Sequence, residues 1–124
     1  MTYKFTISGK LPALNEYIAA INNNRFGGNS FKKCTDMGII ADIKRQIPKA
    51  KITQIVDVDF IWYEKDRMRD KDNISSAKKY ILDALQKAGT LQGDGWRHIN
   101  DFTDKFVVDK TNPRVEVTLR EIES

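Results

Sequence analysis

Asp70 and Asp72 stand one residue apart in the run Arg67-Met68-Arg69-Asp70-Lys71-Asp72-Asn73, with basic residues on both sides. Two carboxylates at that spacing suit a hard divalent cation such as Mg²⁺ or Mn²⁺. Such an ion takes a few carboxylate oxygens and completes its shell with water and substrate phosphate. Without a cation the two repel, so one carboxyl titrates high unless Arg67, Arg69 or Lys71 compensates. If the segment stays extended after the strand that precedes it, both side chains project from the same side. The alternative is a charged surface turn in which Asp72 or Asn73 caps the helix that follows.

Three further residues belong to the same question. Ile74, Ala77, Ile81, Leu82, Leu85 and Ala88 form an apolar stripe at helical spacing, with Gly89 placed as the C′ residue. Lys78 falls inside that stripe and has to snorkel or find an acid, whereas Lys79 lies toward one edge. Lys79 and Lys87 each stand four residues from Asp83, so surface pairing accounts for them without function. Asp94 follows in the Gly-bounded turn Gln92-Gly-Asp94-Gly-Trp96. Spacing alone does not bring it to Asp70 and Asp72.

The elements that must position these groups read in order. Tyr3, Phe5 and Ile7 alternate on one face of a first strand that Gly9-Lys-Leu-Pro12 ends. Leu14, Tyr17, Ile18 and Ile21 follow helical spacing, with Asn15 as N-cap. Asn22 to Ser30 reads as a polar, Gly-containing loop. A second helix is expected from Thr35 to Ile47, with Met37, Ile40, Ala41, Lys44 and Ile47 along one side, Ile39 and Ile43 widening the stripe, and Pro48 closing it. Gln54 to Tyr63 is the clearest strand. Val56, Val58, Phe60 and Trp62 share one face; Asp57, Asp59, Ile61 and Tyr63 share the other. The chain closes with a hairpin of two antiparallel strands, 105–110 and 114–122, around the Thr111-Asn-Pro113 turn. The order β-α-α-β-α-β-β predicts a single α+β domain over 1–124, a mixed or antiparallel sheet covered by helices.

Composition narrows the classes. A chain of 124 residues with 40% hydrophobic residues can bury one core. No run is long and apolar enough to cross a membrane, and the stretch Met1–Gly9 carries no signal-peptide core, so a cytoplasmic protein is expected. Cys34 is the one cysteine and His98 the one histidine, which excludes an intrachain disulfide and a Cys/His zinc cluster. Net charge is +4, and residues 1–53 hold nine Lys/Arg against three acids. Such a surface attracts polyanions. Lys44, Arg45, Lys49 and Lys51 are equally explained as cations at a helix C-terminus.

The block Arg69-Asp70-Lys-Asp72-Asn73-Ile74, then Lys79, then Leu82-Asp-Ala-Leu85-Gln-Lys-Ala-Gly89, then Asp94, resembles the RusA family of Holliday junction resolvases. The segment Leu11-Pro-Ala-Leu14-Asn15-Glu16-Tyr17 is similar to the Pro/Asn-containing amino-terminal segment of that family. The resemblance covers most of the chain and is specific from Arg69 to Asp94. It implies a homodimeric, Mg²⁺-dependent endonuclease, with Mn²⁺ able to substitute, that resolves four-way DNA junctions by paired nicks. Asp70, Asp72 and Asp94 would be the catalytic metal ligands. Its assisting lysine maps to Lys79 when counted back from Leu82, or to Ser76 when counted forward from Asn73, as if the helix carried three extra residues. Lys79 is the choice, with Lys78 in reserve. The Gly93-Asp94-Gly95 context departs from an acidic pair found in some relatives. Arg67 and Arg69 are expected on the DNA backbone, with Arg25, Lys32 and Lys33 beside them and Phe26 stacking on bases. A small resolvase of this type fits a bacterial, phage-derived gene. The alternatives are a non-catalytic, basic DNA-binding dimer and a nuclease for other branched DNA.

Overall fold

The computed structural model describes the backbone of residues 1–9 and 25–122, and the side chains of 1–9 and 35–122. The expected helix at Leu14–Ile21 and the segment Leu11–Tyr17 lie outside the described residues. The elements are β1 (Thr2–Ser8), α1 (Arg25–Gln46), β2 (Val56–Glu64), a short α2 (Lys71–Ser75), α3 (Lys78–Lys87), β3 (Ile99–Val108) and β4 (Arg114–Glu121). The four strands form one mixed sheet in the order β1-β4-β2-β3. This is an α+β domain.

β2 organises it, as its sequence demands. Val56, Val58 and Phe60 are fully buried and Trp62 is 1% exposed. They share one core with Phe5 and Ile7 of β1, Val115, Val117 and Leu119 of β4, Ile39 and Ile43 of α1, and Ile81 and Leu85 of α3. Strand registry lays these side chains in rows: Phe5 pairs with Val117 and Val117 with Phe60, while Ile7 pairs with Val115 and Val115 with Trp62. The alternate residues look away from the helices and satisfy one another. Arg120 binds Asp59 at 2.9 Å, Lys4 binds Glu116 at 3.4 Å, and Arg114 lies 3.7 Å from the centre of the Tyr63 ring. Among the described residues, no helix is long and apolar enough to cross a membrane.

The closing hairpin does not form. β2 lies between β3 and β4, antiparallel to β4 and parallel to β3. Residues 109–113 instead cross the end of β2, where the Asp109 amide donates to the Glu64 carbonyl at 2.7 Å and Arg114 stacks on Tyr63. The short connection suits a hairpin equally well. An apolar strand such as β2, however, needs a ladder on both edges, and the α2–α3 crossover delivers β3 parallel to it.

Three features of the helices also differ from expectation. α1 begins at Arg25, so residues 25–30 are helical rather than loop. A helix nucleated by packing over its second half propagates through residues of poor intrinsic propensity such as Gly27 and Gly28. Its buried face centres on Ile39 and Ile43, with Ile40 and Ile47 partly buried, while Met37 is 60% exposed. The stripe is rotated because Asp36 goes inside, paired to Lys87 at 2.6 Å. The side-chain amide of Gln46 then clasps the outer edge of β1, accepting from the Thr6 amide at 2.7 Å and donating to the Thr6 carbonyl at 2.6 Å. The third difference is that the expected helix from Ile74 is broken at Ser76–Ala77 into α2 and α3. Gly89 does end α3, at φ +81, where a side chain would be strained.

Candidate functional site

The residues singled out in the sequence lie around edge strand β3, on the side that faces α2 and α3. There Phe102, Asp104 and Phe106 pair in register with Val58, Phe60 and Trp62. Asp104 is the one acid in these rows, and it is doubly bound. It accepts from the Trp62 indole Nε1 at 2.8 Å and from Lys78 Nζ at 2.8 Å. The Lys78 ammonium also sits 4.6 Å from the centre of the Phe102 ring and 5.3 Å from that of Phe60. A lysine in an apolar stripe thus both snorkels and finds its acid. Two clefts flank this pair along β3.

The first cleft, about 660 Å³, is lined by Arg67, Arg69, Asp70 and Lys71 together with Phe106 and Val108 of β3. Lys71 lies over Phe106, 5.6 Å from the ring centre. Arg69 turns inward: its guanidinium meets Glu64 at 2.9 and 3.0 Å, with both side chains largely buried. Arg67 is exposed. Asp70 occupies the N-cap position of α2, yet its side chain makes no capping hydrogen bond. Asp72 lies inside the first turn, accepting from the Asn73 amide at 2.9 Å. The chain turns helical at Lys71, so the extended geometry that would project Asp70 and Asp72 from the same side is not adopted.

The second cleft, about 310 Å³, is lined by Asp94, Trp96, Ile99, Asn100, Asp101 and Phe102. Lys79 reaches Asp94 from α3 at 3.1 Å and also meets Asp83 at 3.2 Å, one turn along its own helix. The hydrogen bond from Lys79 holds the Asp94 carboxyl below its ordinary value, and the same bond raises the Lys79 ammonium. The turn is shaped by Gly93, where an added Cβ would fall 2.7 Å from the His98 ring. Trp96 stands at its tip, 95% exposed.

Lys79 and Asp94 are therefore brought together, and Lys78 is held one residue away on a different acid. Ser76, the other candidate position, donates from its hydroxyl to the Asn73 carbonyl at 2.5 Å. Asp70 and Asp94 line separate clefts, and among the described residues no three His, Cys, Asp or Glu side chains group so as to hold a metal ion. The three-aspartate cage implied by the resemblance does not match this arrangement. Arg25, Phe26, Lys32 and Lys33 fall on the α1 backbone, and their side chains lie outside the described residues. Sequence reasoning missed Asp104 and Trp96. The alternation of Phe102, Asp104 and Phe106 carried a signal for the first. Only the structure reveals how far Trp96 projects. No protein-family model and no curated protein matches the chain.

Proposed function

We propose that this chain is a RusA-type endodeoxyribonuclease that resolves four-way DNA junctions by paired, symmetric nicks and works as a homodimer. The observation that supports it is the 3.1 Å contact between Lys79 and Asp94, two residues the motif picks out on separate elements. In this reading the exposed Arg67 and Lys71 hold backbone phosphate at the Asp70 cleft. Asp94 keeps the Lys79 ammonium charged and aimed at the other, where it stabilises negative charge on a phosphate. A C₂ dimer presents two such sites to a junction of matching symmetry. The reaction requires Mg²⁺, with Mn²⁺ substituting. The aspartates as placed do not form its cage, so Asp70, Asp72 and Asp94 enter as candidates to be tested singly. The protein belongs, on this reading, with DNA in the bacterial cytoplasm.

A synthetic four-way junction, incubated with and without Mg²⁺, tests the proposal. Paired nicks at symmetric positions are expected only with the metal. Intact junction under Mg²⁺ and Mn²⁺ alike, with binding retained, would establish the second reading, a non-catalytic DNA-binding dimer. The separation of Asp70 and Asp94 into two clefts favours that rival. Flaps, forks and duplex in the same assay distinguish a junction enzyme from a nuclease of broader structural taste.

A further inference from the structure

We propose that the cleft beside Trp96 receives an unpaired nucleobase, stacked on the Trp96 indole, when the protein holds branched DNA. This rests on the DNA-processing reading above and adds to it a residue that the motif does not contain.

Trp96 is 95% exposed, on a turn shaped by the contact of Gly93 with His98. An indole presented in this way offers a π-face that any base can stack on. The rest of the cleft is not simply apolar. Ile99 and Phe102 give it an apolar side, and the acids Asp94 and Asp101 are also among the residues that line it. Asn100 is itself steadied by donating to Asp57 at 2.9 Å. An apolar protein side chain seated here would strip water from these carboxylates without replacing it. A base brings ring N–H and amino donors on its edge along with its flat face. Arg97, next in the chain, is exposed, and Lys79 reaches Asp94 of the cleft from α3; cations of this kind meet the phosphates that flank a splayed base. A junction supplies such bases where pairing is interrupted at its branch point.

The two tryptophans make the test direct. Trp62 is 1% exposed and bonded to Asp104, so acrylamide-accessible emission belongs to Trp96. The intact protein is titrated with a four-way junction in metal-free buffer. Emission should fall as junction binds, and the remaining Trp96 signal should become shielded from acrylamide. Trp96→Ala should bind the junction roughly tenfold more weakly, while Trp96→Phe, which keeps a stacking ring, stays within about threefold of wild type. Unchanged emission on a bound junction, with Trp96→Ala binding like wild type, overturns the proposal and leaves the DNA reading standing. Failure of the wild type to bind any DNA removes both. Shielding that grows with protein concentration alone, and a Trp96→Ala variant that sediments as monomer, assigns Trp96 to contact between copies of the chain and also overturns the proposal.

Discussion

Lys79 holds two acids at once. Its ammonium lies 3.1 Å from Asp94 and 3.2 Å from Asp83, and the contact with Asp94 lowers that carboxyl while raising the lysine. Asp94 titrates lower folded than unfolded, so its contribution to stability is full above the ordinary aspartate range and is lost as pH falls through the lowered value. Lys79 titrates higher folded, so its contribution is full below the ordinary lysine range and is lost as pH rises through the raised value. Carbon-detected NMR titration should place the Asp94 midpoint below that of an unperturbed aspartate, and Lys79→Ala should move it upward. An Asp94 midpoint indifferent to that substitution would mean the contact does not persist in solution. On activity, Asp70→Asn is expected to abolish nicking while leaving metal-free junction binding largely intact, and Lys79→Ala to slow cleavage strongly. If Lys78→Ala slows the reaction and Lys79→Ala does not, the assisting lysine is the one held by Asp104.

At the scale of elements, α3 is pinned to the edge of the sheet by Lys78 and Asp104. Trp62 shares that carboxylate, so one acid secures the start of a helix and the largest side chain of the central strand. Replacing Asp104 with Ala leaves the buried indole N–H without its acceptor and the Lys78 ammonium beside two rings without its counter-ion, a loss of about 1–3 kcal/mol. Lys78→Met keeps the apolar stem and leaves Asp104 its bond to Trp62, so about 1 kcal/mol or less is expected. Urea midpoints at unchanged m-value rank the two. An Asp104→Ala variant as stable as wild type would show that the pair only decorates the edge. The same pair divides the two clefts, so shifting it should disturb Lys79 and Asp94 at one end and Asp70 at the other.

For the molecule as a whole, the relevant quantity is charge. The chain carries a net +4, with nine Lys/Arg against three acids in residues 1–53, and a surface of that sign attracts polyanions. Junction binding measured in rising monovalent salt should weaken steeply, with log affinity linear in log salt. A flat response would remove phosphate contact from the account. Several cations meanwhile are paired with acids of the same chain: Arg69 with Glu64, Arg120 with Asp59, Lys87 with Asp36. The salt slope should therefore be well below the count of Lys and Arg.

Period-two alternation determined β1, β2 and β4, and period 3.6 with a terminal glycine determined α3, because each pattern reflects one face against one core. The lysine within the stripe was legible as a problem needing an acid, and the acid turned out to be Asp104. Which neighbours the strands take was not legible. A five-residue link fits a hairpin as readily as a crossover, and the choice fell to burial of both edges of β2. The rotation of α1 was also hidden, since a helical wheel places Asp36 outward until Lys87 arrives from another element. The site divides in the same way. Residue types and spacing within one segment picked out Asp70 and Asp72, and the family resemblance added Lys79 and Asp94, but the meeting of Lys79 with Asp94, the division of the aspartates between two clefts and the projection of Trp96 depend on contacts between segments, which only the tertiary structure sets.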